Sequence, residues 1–108
     1  MGLLTSQLRL AQISNYRSDL EYQIMLISST KLDLSSQINS IVGLASDLEP
    51  DSAEAKALEK KKERLYQAEK ALDQQLQRYQ NQLEMINQEE QSVKQQLQQS
   101  IQRSYAAG

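Results

Sequence analysis

The stretch Ser46-Asp47-Leu48-Glu49-Pro50-Asp51-Ser52-Ala53-Glu54 divides the sequence near its middle. It holds the single proline of the chain, and proline disfavours helical geometry in the residue before it and has no amide proton to donate. A first helix is therefore expected to end at or before Glu49. Asp51 is the predicted N-cap of the next helix, with Glu54 as its partner in a capping box.

On both sides of this turn the sequence predicts one long helix. The expected bounds are about 3–48 for the first helix, 47–52 for the turn and about 52–106 for the second helix, within a single helical hairpin of residues 1–108. Gly43 disfavours a helix interior by about 1 kcal/mol relative to alanine, but it lies in an apolar stretch, and we expect the helix to continue through it. The predicted fold class is all-α: a long antiparallel two-helix hairpin of the coiled-coil type with one turn near Pro50, assembling into an oligomer or a filament.

Apolar residues recur at alternating spacings of three and four along both predicted helices, which is the heptad pattern of a coiled coil. The intra-hairpin seam is predicted to contain Leu20, Ile24, Ile27, Leu34, Ile38, Ile41, Leu65, Leu72, Leu76, Tyr79, Leu83 and Ile86. Its polar interruptions are Ser6, Arg17 and Lys31 in the first helix and Lys62, Glu69 and Glu90 in the second. With the hairpin centred on Pro50, Lys31 meets Glu69, and this pair of opposite charges is predicted to help fix the register.

A second apolar stripe follows the first helix and makes its apolar face wider than one partner helix can cover. In this register, residues 98–108 extend past the start of the first helix. Their apolar side chains therefore need another surface to pack against. The residues predicted to mediate self-association are Leu4, Leu8, Ala11, Tyr22, Met25, Leu32, Ile101 and Tyr105.

The composition argues against most catalytic and metal-binding chemistry. The chain has no cysteine and no histidine, so it lacks thiolate nucleophiles, imidazole bases and the usual zinc ligands. We expect no enzymatic activity, no cofactor and no metal site. Its 12 basic and 14 acidic residues give a net charge of −2, which does not favour nucleic-acid binding. The densest basic run, Lys60-Lys61-Lys62-Glu63-Arg64, is interpreted as a solvated helix face.

The N-terminus lacks the basic and apolar regions of a secretory signal, so cleavage by the general route is not expected. The longest apolar run, Ile24-Met25-Leu26-Ile27, is far too short to cross a bilayer, and membrane contact is not expected. A lipid-anchored hairpin is a third-ranked interpretation, since Gly2 with Ser6 fits the loose N-myristoylation pattern.

An N-terminus that is not cleaved, a first helix, the turn Pro50-Asp51-Ser52 and a long second helix together resemble the needle subunits of type III secretion systems. The resemblance implies a helical hairpin that is exported unfolded and polymerises into a hollow filament. It also implies secretion-apparatus components as partners, in addition to copies of the chain itself.

The favoured function is therefore a structural, self-assembling subunit of a helical filament or tube, located outside the cell. The alternative is a cytoplasmic coiled-coil adaptor or export chaperone that forms a small discrete oligomer and receives a client helix on its spare stripe. An open filament and a closed oligomer both remain compatible with the sequence.

Overall fold

The chain is an all-α antiparallel helical hairpin. The structure is a computed structural model that describes residues 2–107. Helix α1 runs over Leu3–Ala45 and helix α2 over Ala53–Ala107, and the described residues contain no strand. The predicted continuation of α1 through Gly43 is confirmed.

Helix α1 ends three residues earlier than predicted, at Ala45 instead of residue 48. The amide of Ser46 still donates to the carbonyl of Val42, but the amides of Asp47 and Leu48 donate only three residues back, to Leu44 and Ala45. Hydrogen bonds of this spacing tighten and close the last turn of a helix. The Ser46 hydroxyl also donates to the carbonyl of Gly43 at 2.7 Å. The helix is thus closed before the proline is reached.

The N-cap of α2 is Ser52, and the prediction of Asp51 is wrong by one residue. The Ser52 hydroxyl accepts a hydrogen bond from the amide of Ala55 at 3.1 Å and donates to the carbonyl of Glu49 at 2.8 Å. The amide of Ser52 donates to the same carbonyl at 3.0 Å, which closes a β-turn with Pro50 and Asp51 at its centre, where proline is favoured in the second position. This turn rotates Asp51 into the loop and brings Ser52 to the start of the helix.

The hairpin divides into two compact units. One contains residues 1–23 and 79–108, and the other contains residues 24–78. In the first unit the buried side chains are Ser6, Ile13, Leu20 and Val93. In the second unit they are Ile27, Ile38 and Ile41. All of these residues follow the heptad spacing, so the helices pack through the columns that the sequence pattern indicates.

In the unit of residues 24–78, Lys31 forms its ion pair with Asp73 and not with the predicted partner Glu69. Glu69 lies half-buried beside it, and both line one concave surface. Helical side chains lean toward the N-terminus of their own helix. In an antiparallel pair this tilt carries Lys31 toward higher residue numbers of α2, and it carries Asp73 toward Lys31. The tilt explains why the carboxylate one turn beyond Glu69 is the one bound.

Replacing Ser52 with alanine should lower the free energy of unfolding by about 1 kcal/mol, because the amide of Ala55 loses its partner. Asp51→Ala, which tests the alternative cap, should change stability by less than half as much. Ser92→Ala, at an exposed position inside α2, is the matched control. Urea unfolding followed by circular dichroism measures all three, and a larger loss for Asp51→Ala than for Ser52→Ala would contradict the assignment.

Gly43→Ala should stabilise the hairpin by roughly 0.5–1 kcal/mol, since alanine loses less backbone entropy in a helix. A Cβ added at Gly43 meets no atom within 4 Å, so no clash offsets this gain. Thermal unfolding at low protein concentration measures the effect. A destabilised variant would show that the residue is needed for a reason other than packing within the chain.

Candidate self-association surface

All three basic residues of α1 pair with carboxylates of α2. In the unit of residues 1–23 and 79–108, Arg9 pairs with Glu89 and Arg17 with Glu90. In the unit of residues 24–78, Lys31 pairs with Asp73. The positive charge of α1 is therefore directed toward α2, and the outward side of α1 keeps none of it.

The pair of Arg17 and Glu90 joins two of the predicted polar interruptions of the seam. Both side chains are mostly shielded from solvent, at 24% and 18% exposure, and Lys94 binds the same carboxylate at 3.4 Å. Hydrogen bonding from Arg17 lowers the pKa of Glu90 below its ordinary value of 4.5, against an opposing effect of desolvation. The pairing was missed in the sequence, although the opposite charges of two seam interruptions are the signal for it.

A second set of positions with heptad spacing runs along α1 away from α2; we call it the outer stripe. These positions lie about 100–160° around the helix from the seam. The outer stripe consists of Leu4, Leu8, Ala11, Asn15, Ser18, Tyr22, Met25, Ser29, Leu32, Ser36, Asn39 and Gly43. It contains no charged residue, and every one of its members is exposed.

The larger side chains of the outer stripe are extensively exposed. Leu4 is 70% exposed and Leu8 59% in one unit, and Met25 is 57% and Leu32 75% exposed in the other. By contrast, the exposed positions of α2 are mainly Gln, Lys, Arg and Glu. An amphipathic helix of a monomeric protein buries its apolar side and exposes a polar one. Helix α2 follows this rule and α1 does not.

The structure places the predicted residues in two groups. The seam residues Leu20, Ile24, Ile27, Leu34, Ile38, Ile41, Leu65, Leu72, Leu76, Tyr79, Leu83 and Ile86 are all buried or half-buried. The self-association residues Leu4, Leu8, Ala11, Tyr22, Met25, Leu32, Ile101 and Tyr105 are all exposed. Ile101 and Tyr105, in α2, line one shallow surface together with Leu3 of α1.

Over residues 2–107, no group of acidic side chains is arranged to hold a metal ion. Neither helix combines, within that range, the length and apolar character of a membrane span. The concave surfaces are shallow grooves between side chains, as the one formed by Ser28, Lys31, Leu32, Ser35 and Glu69 illustrates.

The lowered pKa of Glu90 predicts how stability depends on pH. A carboxylate whose pKa is lower in the folded state stabilises that state above its unfolded pKa, and the effect is lost as the pH falls through the folded value. Glu90→Gln should therefore be less stable than the native chain at neutral pH, and the difference should shrink on acidification from about pH 6 to pH 3. Urea unfolding across this range measures it.

Glu84→Gln is the matched control, because Glu84 is exposed and makes no ion pair among the described residues. The control should unfold like the native chain at neutral pH. A Glu90→Gln stability that keeps a constant difference from the native chain at every pH would contradict the role assigned to the ion pair.

No protein-family model, no curated protein and no solved structure matches the chain.

Proposed function

We propose that the chain is a structural subunit that assembles with copies of itself, through the outer stripe of α1, into a filament or tube. The observation that carries the proposal is the absence of charge along the whole outer stripe together with its exposure. A solvated helix face of this length normally carries lysine, glutamate and arginine, as the exposed face of α2 does.

Monomeric proteins seldom expose contiguous apolar patches larger than a few hundred Å². Full burial of a leucine or methionine side chain favours association by about 1.5–3 kcal/mol, and each copy offers Leu4, Leu8, Met25 and Leu32. The small residues Ala11, Ser18 and Ser29, which lie between them on the outer stripe, allow a second helix to approach closely. Covering this surface with another copy is the simplest way to remove it from water.

The cellular setting is part of the proposal. The resemblance to type III secretion needle subunits, in the turn Pro50-Asp51-Ser52 and in the order of the helices, supports a filament outside the cell. Secretion-apparatus components would then be partners during export. A coiled-coil adaptor or export chaperone inside the cell is the alternative, and it predicts particles of one small size.

Assembly should be visible when purified protein is concentrated stepwise and examined by negative-stain electron microscopy and light scattering. The native chain should form elongated particles whose length grows with concentration. The double variant Leu8→Gln/Leu32→Gln should remain helical but should raise the concentration needed for assembly at least about tenfold, because about 1.4 kcal/mol of lost association energy gives that factor.

Met85→Gln is the matched control, since Met85 is 68% exposed but belongs to α2. It should assemble like the native chain. Small particles of one size at every concentration would favour the adaptor, and a native chain that stays monomeric would overturn the proposal.

A further inference from the structure

The outer stripe has an acidic rim. Once Arg9, Arg17 and Lys31 are paired with α2, the charged residues left on α1 are Asp19, Glu21 and Asp33. All three are exposed, and they make no ion pair within the described part of the chain. Helical periodicity places them in the columns directly beside the outer stripe. Any helix that covers the stripe therefore meets negative charge along its edges.

This rim decides between two ways of pairing copies. If two α1 helices packed face to face, Asp19, Glu21 and Asp33 of both copies would line the same contact. Like charges facing each other across an interface disfavour association and act against the wrong partner. A suitable partner surface has a basic edge and small or apolar groups between the charges.

The first half of α2 has such a surface, and we call it the basic face. Within residues 53–78, six basic side chains are exposed and form no ion pair among the described residues: Lys56, Lys60, Lys61, Arg64, Lys70 and Arg78. The unpaired exposed acids of the same segment are only Glu54 and Glu63. The segment therefore carries an excess of positive charge that the hairpin itself does not use.

The basic face also offers groups that can cover apolar side chains. Ala57 and Ala71 alternate with Arg64 and Arg78 at intervals of seven residues, which is the interval between Met25 and Leu32 of the outer stripe. Alanine leaves room for a leucine or methionine from a neighbour. The aliphatic stems of lysine and arginine cover apolar surface while their charged ends reach the rim.

We propose that the outer stripe of one copy packs against the basic face, residues 53–78, of a second copy, with Asp19, Glu21 and Asp33 facing lysine and arginine. This inference rests on the proposed function and specifies its contact. The two surfaces are different patches of the same chain, so the contact is heterologous. Each copy presents both surfaces, and addition of copies continues unless the rotation closes a ring.

Charge reversal on each surface tests the pairing. The acid-reversed variant carries Asp19→Lys and Asp33→Lys, and the base-reversed variant carries Lys60→Glu and Lys70→Glu; none of the four native residues has an ion pair to lose within the described chain. Each variant alone should need at least about tenfold more protein to assemble, because like charges then face each other. An equimolar mixture should assemble at the native concentration, since each reversed surface finds its complement on the other variant.

Circular dichroism of each variant shows whether the helices are retained, and a pair with reduced helicity is replaced by Asp19→Asn/Asp33→Asn with Lys60→Gln/Lys70→Gln. These neutral pairs introduce no like-charge repulsion. They should still raise the protein concentration needed for assembly and make that concentration less dependent on salt. Assembly of the base-reversed variant at the native concentration would overturn the pairing, because contacts between two α1 helices do not involve Lys60 or Lys70.

Crosslinking gives an independent test, because the chain has no cysteine. Met25→Cys and Ala71→Cys chains are mixed and treated with a short bismaleimide, with Met25→Cys mixed with Met85→Cys as the control. The first mixture should give mainly the dimer that is crosslinked between Met25→Cys and Ala71→Cys. Its yield should be several times that of the dimer crosslinked between Met25→Cys and Met85→Cys in the control. A dominant product between two Met25→Cys chains would overturn the inference and leave the proposed function standing, whereas a native chain that never assembles would overturn the function itself.

Discussion

The structure depends on one packing constraint, the heptad seam along which α1 and α2 meet. The seam fixes which columns of each helix are buried and therefore which columns point outward. Ile13, Leu20 and Val93 mark it in one unit, and Ile27, Ile38 and Ile41 mark it in the other. In an antiparallel coiled coil these apolar contacts set the pairing, and polar residues inserted among them set the register.

The distribution of charge follows from this seam. Arg9, Arg17 and Lys31 form ion pairs with carboxylates of α2, and Glu90 also binds Lys94 as a second cation. Exposed ion pairs contribute little to stability. Their main consequence here is that the positive charge of α1 points toward α2. They leave α1 with an outward surface that is uncharged along its centre and acidic at its edges, and they leave exposed lysines and arginines of α2 without an ion pair among the described residues. In the proposed assembly, the outer stripe of one copy, with its acidic rim, packs against the basic face of α2 in another copy.

Where the structure differs from the sequence-based predictions, the difference has a specific physical cause. The N-cap of α2 is Ser52 and not its neighbour Asp51, because both are good caps and only the β-turn closed at the Glu49 carbonyl selects Ser52. Helix α1 ends at Ala45, where the amides of Asp47 and Leu48 donate three residues back and close its last turn. A simple count of residues around Pro50 predicts Glu69 as the partner of Lys31. The tilt of helical side chains toward the N-terminus moves the contact to Asp73.

The amino-acid pattern alone determined that the chain is helical, that it turns at Pro50, and which apolar columns lie in the seam and which remain spare. These properties depend on local or periodic features of the sequence. The helical repeat of 3.6 residues decides which side chains share a face, and a proline interrupts a helix. Only the tertiary structure decided which carboxylate each cation of α1 reaches, and hence that the spare stripe is bordered by acids alone. That outcome depends on the register and on the lean of individual side chains between two helices, and no spacing within one helix encodes it.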